Sequence, residues 1–148
     1  MDEVTPQLWI GNIRDAREGD TGRFDATITI CQDDVAANIG CEYYDHYPLA
    51  DGEPPADAYN PGSFSYDLFR EAVERIIEHV TAGRTVFVHC HAGKSRSVMA
   101  VTAALTELEQ VEFDTARETV IDARKGGINP SRELSEFGQR YANGEADG

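Results

Sequence analysis

The sequence predicts an α/β fold, a single domain with a central, largely parallel, twisted sheet flanked by helices. Two observations carry it. Short runs rich in β-branched residues alternate with longer stretches in which apolar residues recur at helical spacing. The chain has 148 residues without a repeat or a linker, which suits one core, here placed at about residues 4–142 of a 1–148 domain.

Leu8-Trp9-Ile10 followed by Gly11-Asn12 reads as a short strand and turn, and residues 26–31 as a buried strand. Residues 43–48 read as a further strand. Residues 51–62 are crowded with Pro, Gly, Asp and Asn, so they form a loop with no helix. Over residues 64–80, Leu68, Phe69, Ala72, Val73, Ile76, Ile77 and Val80 mark one face of a helix that ends before Gly83. Thr85-Val86-Phe87-Val88 is a compact strand. Residues 97–108 are nearly all apolar and predict a helix buried on most sides. Two more helices are expected near residues 115–124 and 131–141, with Asn129-Pro130 as N-cap and first helical residue of the second. The tail, residues 145–148, should fray.

Charge narrows the choice of partner. Thirteen basic residues face 27 acidic ones, a net charge of −14, and Lys94 and Lys125 are the only lysines. Nucleic acid and anionic membrane surfaces would be repelled, and a salt-rich cytoplasm, as in a halophile, would screen the self-repulsion. No apolar run approaches the roughly 20 residues of a membrane helix, and the acidic start lacks a secretory pattern. A cytoplasmic monomer with no stable membrane association is expected. Cys31, Cys41 and Cys90 show neither CxxC nor metal-ligand spacing, so neither a disulfide framework nor a metal site is expected. His46 and His79 have no metal-ligand partner at useful spacing. Trp9 and the tyrosines at 43, 44 and 47 read as core.

Between the strand ending at Val88 and the buried helix lies His89-Cys90-His91-Ala92-Gly93-Lys94-Ser95-Arg96-Ser97. Ligands of such sheets bind beyond the carboxyl ends of strands, where loops enter helix N-termini. Backbone N–H groups there converge on an anion, and the helix dipole favours negative charge. Gly93 allows the backbone to approach closely. The same field favours the thiolate of Cys90. Arg96 can return across the loop and grip two phosphoryl oxygens with its planar fork. A thiolate attacking phosphorus needs an acid to protonate the departing oxygen. Asp51, at the passage from strand to loop, is the first choice, Asp57 the second and Asp45 a distant third.

These residues resemble the dual-specificity branch of the protein tyrosine phosphatase superfamily, whose signature is His-Cys, five residues, then Arg and Ser or Thr. The likeness runs from Leu8-Trp9-Ile10-Gly11-Asn12 through Asp51 and the 89–97 loop to Asn129-Pro130. It implies hydrolysis of phosphate monoesters through a phosphocysteine on Cys90, without cofactor or metal. Arg96, with His91, Ala92, Gly93, Lys94 and Ser95, would hold the phosphate. Asp51 would act as acid and then base, Ser97 would stabilise the departing thiolate, and His89 would support the loop. Pro48-Leu49-Ala50-Asp51 stands where the tyrosine-specific members carry Trp-Pro-Asp, and the short chain lacks room for the added elements that deepen their pocket, so the resemblance implies a shallower cleft open to more than one phosphoester. The implied substrate is a phosphorylated protein, on phosphotyrosine and also on phosphoserine or phosphothreonine, or a small phosphoester.

Other readings follow from the same loop. Residues 26–31 and 51–55 resemble the phosphatases of regenerating liver, in which a cysteine at the position of Cys31 can form a disulfide with the nucleophile. Residues 90–97 also resemble loops of phosphatidylglycerophosphate and phosphoinositide phosphatases, which makes a lipid or inositol phosphate phosphatase the alternative enzyme. A phosphate-binding module without turnover is the non-enzyme alternative. Simple packing is the competing account of Cys31, and the expected role of Cys41.

Overall fold

The computed structural model describes residues 1–51 and 63–144. Among them, β1 (Asp2–Thr5), β2 (Leu8–Gly11), β3 (Ala26–Thr29), β4 (Tyr43–His46) and β5 (Val86–His89) form one sheet in the order β1-β2-β5-β3-β4. β1 lies antiparallel to β2, and every other neighbouring pair is parallel. The helices are α1 (Ile13–Glu18), α2 (Tyr66–Thr81), α3 (Arg96–Leu108), α4 (Phe113–Ala123) and α5 (Arg132–Ala142).

Alternation along the strands divides the core between the two faces of the sheet. Leu8, Ile10, Ala26, Ile28, Val86 and Val88 join the buried residues of α2 and α3 on one face. Phe87 packs with Ile13, Ala16, Phe24 and Val35 on the other. Every residue of α3 from Arg96 to Leu105 is buried, because α2, α4 and α5 all pack around this helix. No described helix is long and apolar enough to cross a membrane.

Two elements were not expected. β1 has no alternating pattern and exists through its antiparallel pairing with β2. Gly11-Asn12 is not a free turn: Gly11 ends β2, and Asn12 caps α1. The Asn12 side chain accepts from the Asp15 amide at 2.9 Å, while Asp15 accepts from the Asn12 amide at 3.0 Å. α5 also begins two residues later than expected. Ser131, not Asn129, is its cap, and Ser131 Oγ accepts from the Leu134 amide at 3.2 Å. The reason is that the Asn129 and Ser131 amides bond instead to Lys94 and Ser95 of the 89–97 loop.

Asp45, the third choice of acid, belongs to the scaffold. Its Oδ2 accepts from Arg75 Nε at 2.9 Å and lies 3.1 Å from His79 Nε2, tying β4 to α2. His79 sits near the end of α2 that leads into the start of β5, opposite the end where the loop begins. Asp57, most of the 51–62 loop and the 145–148 tail lie outside the described residues.

Candidate active site

Residues 90–95 join β5 to α3, so the loop stands at the carboxyl edge of the sheet and at the N-terminus of its most buried helix. Gly93 has φ of +70°, and a Cβ there would lie 2.5 Å from the Gly11 carbonyl oxygen. Both the left-handed backbone and the contact require glycine.

Four carbonyls of residues 90–95 are bonded by groups outside that stretch. Cys90 O lies 3.0 Å from His89 Nδ1. His91 O accepts from the Ile13 amide at 2.9 Å, Gly93 O from Arg124 Nε at 2.8 Å, and Lys94 O from the Asn129 amide at 2.8 Å. In a planar trans peptide the C=O and the following N–H point in opposite directions. The amides of His91, Ala92, Lys94 and Ser95 are therefore turned inward, toward the space before the N-terminus of α3. That arrangement has the form of a nest that can cradle a tetrahedral anion.

Cys90 is 1% exposed and its Sγ lies 3.1 Å from Ser97 Oγ, which is fully buried. Arg96 is also buried, and its Nη1 donates to the Leu49 carbonyl at 3.0 Å. Residues 48–50 are held in turn by Ser63: the Ala50 amide donates to Ser63 O at 2.9 Å and the Ser63 amide to Pro48 O at 3.0 Å. Asp51, 39 positions before Cys90 in the chain, is thereby brought to the loop, where its Oδ1 accepts from Ser95 Oγ at 2.5 Å. His91, Ala92 and Lys94 are exposed at the mouth.

His89 sits beneath the loop, stacked on Phe87 with ring centroids 5.6 Å apart. The parallel register sets Thr29 beside it, and Thr29 Oγ1 lies 2.6 Å from His89 Nε2. A carbonyl only accepts, so Nδ1 carries the proton toward Cys90 O and Nε2 accepts from the Thr29 hydroxyl. Burial pushes the His89 pKa down to about 4, which makes this neutral tautomer the working form. The unfolded chain takes up this proton first on acidification. The stabilisation is thus complete above about pH 6.5 and is lost as pH falls toward about 4. Urea unfolding at a series of pH values should show that loss. It should be shallower in His89→Asn, which keeps a donor near the Nδ1 position.

Cys31 is fully buried, and burial pushes its thiol up to about 11. Cys41 Sγ bonds to Tyr43 O at 3.1 Å and Thr27 Oγ1 at 3.3 Å, away from the loop. Among the described residues no cluster of three or more His, Cys, Asp or Glu is placed to hold a metal.

Arg124 is the participant that the sequence alone did not mark. Besides Gly93 O it bonds Asp2 Oδ2 at 2.7 Å, with both side chains nearly buried. Asp2 also accepts from the Lys125 amide at 3.1 Å. Desolvation works against the Asp2 carboxylate, but the bonds from Arg124 and Lys125 prevail and hold its pKa below the ordinary value. An arginine 31 positions after the glycine that it serves leaves no local signal.

Comparison with known proteins gives one direction. A model of the dual specificity phosphatase catalytic domain matches residues 23–140. Dual specificity protein phosphatase 22 of Mus musculus is 31% identical over 147 residues, covering 93% of this chain and 73% of that protein. The crystal structure of human DUSP28 superposes with a TM-score of 0.78 at 19% identity, over 97% of this chain and 96% of the other, a likeness of fold. That of human tyrosine phosphatase-like serine/threonine/tyrosine-interacting protein gives 0.74 at 25% identity, over 97% and 95%.

Proposed function

The chain belongs to the dual specificity phosphatase family, a cysteine-dependent phosphatase acting on phosphoproteins, and on that premise we propose how its own residues divide the reaction. Cys90 is the nucleophile. The inward amides of His91, Ala92, Lys94 and Ser95 and the guanidinium of Arg96 bind the phosphoryl oxygens, and Gly93 permits the turn. As Cys90 Sγ forms its bond to phosphorus, the ester P–O bond breaks and Asp51 gives its proton to the departing oxygen. Asp51, now a carboxylate, takes a proton from water. The water oxygen attacks phosphorus, the S–P bond breaks, and inorganic phosphate leaves. Ser97 Oγ, 3.1 Å from Sγ, donates to the thiolate as it departs.

The observation that carries this reading is the set of four carbonyls of residues 90–95 bonded by groups outside that stretch. It supplies phosphate affinity from the backbone, indifferent to the alcohol being released. Activity on phosphotyrosine and on phosphoserine or phosphothreonine follows, in a cytoplasmic monomer. Competition among a phosphotyrosine peptide, a phosphoserine peptide and phosphatidylglycerophosphate, at low and high salt, tests the substrate class. A peptide should have the highest kcat/KM, because the net charge of −14 repels an anionic lipid surface. Preference for the lipid would overturn the assignment.

Cys31 is proposed as a redox guard of the nucleophile. Peroxide oxidises the Cys90 thiolate to a sulfenic acid, which condenses with the Cys31 thiol to a disulfide and water. The buried, protonated Cys31 makes this condensation slow. Mass spectrometry after mild peroxide should find a Cys31–Cys90 cross-linked peptide; sulfinic acid at Cys90 without that peptide would leave Cys31 a packing residue.

A further inference from the structure

The hydroxyl of Ser95 does not do what its backbone does. Its amide faces the inside of the loop, but Oγ is turned the other way, between two groups outside the nest. The Ser131 amide donates to Ser95 Oγ at 2.9 Å, and Ser95 Oγ donates to Asp51 Oδ1 at 2.5 Å. A hydroxyl has one proton and two lone pairs. An amide N–H can only donate, so it occupies a lone pair and leaves the proton directed at the carboxyl group.

We infer that Ser95 is a positioning residue for the general acid: its hydroxyl, oriented by the Ser131 amide, fixes the rotamer of Asp51 and marks Oδ1 as an acceptor, so that the transferable proton rides on Oδ2. The inference rests on the reading of Asp51 as the acid. The fixed point is α5. Ser131 caps this helix and Leu134, in its first turn, is fully buried in the core. Ser95 itself is 6% exposed, so water does not freely replace the contact. The line from Leu134 through Ser131 and Ser95 to Asp51 thus references the acid to the same rigid body that carries Cys90 and Arg96. It also gives Ser131 a second use besides capping.

The experiment compares phenyl phosphate, whose poor leaving group needs protonation, with dinitrophenyl phosphate, whose phenolate departs without it. In Ser95→Ala the ratio of kcat/KM for phenyl over dinitrophenyl phosphate should fall about tenfold, the scale of one lost hydrogen bond. Ser95→Thr, which keeps the hydroxyl, should restore the ratio. Ser131→Pro provides a second variant, since the φ of −66° at Ser131 suits proline and the substitution removes the orienting N–H; it also removes the Oγ that caps α5, so urea unfolding of this variant accompanies the rates. It should lower the ratio in the same direction. In an Asp51→Ala background, Ser95→Ala should change the ratio no further. Equal slowing of both substrates by Ser95→Ala, or a further fall in that background, would overturn the inference. If Asp51→Ala alone leaves the ratio unchanged, the assignment of the acid fails, and the inference fails with it for that distinct reason.

Discussion

Replacing Cys90 with serine should reduce turnover of aryl phosphates to background, a loss on the order of 10⁴–10⁶, while leaving phosphate binding nearly intact. The substitution is close to isosteric at a position that is 1% exposed, so the fold should tolerate it. The amides that hold the anion are oriented by the Ile13 and Asn129 amides, Arg124 and the His89 ring, and none of these contacts uses Sγ. A serine hydroxyl, however, remains protonated near neutral pH, and among the described residues no base is placed to activate it. Steady-state rates together with equilibrium binding of inorganic phosphate separate the two effects. Loss of both would point to collapse of the loop, and turnover equal to the parent would exclude Cys90 as nucleophile.

Asp51→Ala should slow phenyl phosphate hydrolysis by about 10²–10⁴. The group is delivered to the loop by a backbone anchored at Ser63 and a side chain held by Ser95. Its loss removes the proton without touching the nest, so phosphate affinity should change little and kcat should carry the effect. Asp57→Ala is the control. A loss of this size from Asp57→Ala, with Asp51→Ala near the parent, would reverse the choice between the two carboxylates.

The elements that predicted this fold were those whose pattern is local. The helical spacing over residues 64–80 became Tyr66–Thr81, and the apolar run after the loop became the buried helix Arg96–Leu108. Asn12-Ile13-Arg14-Asp15 carries a readable cap for α1, an N-cap residue with an acidic residue three positions later. β1 and the Asp2–Arg124–Gly93 connection had no such signal, because they exist only through pairing across most of the chain. The same distinction holds in the site. Cys90, Arg96 and Ser97 are marked by spacing, and Asp51 by its place in the passage from strand to loop, five residues beyond the end of β4. That the Ser95 hydroxyl turns away from the phosphate, and that Asn129 and Ser131 bond to the loop instead of starting a helix, follows from tertiary contacts alone.

Passage of the phosphoryl group through Cys90 can be observed by trapping the phosphocysteine. Ser97→Ala, which removes the hydroxyl 3.1 Å from Sγ, should slow release of the thiolate and allow the intermediate to accumulate. Acid quenching of this variant during turnover of a radiolabelled phosphotyrosine peptide, followed by peptide mapping, should find the label on the peptide carrying Cys90 in near-stoichiometric amount, and no label in the Cys90→Ser control. Label on another residue, or turnover with none on Cys90, would contradict the account.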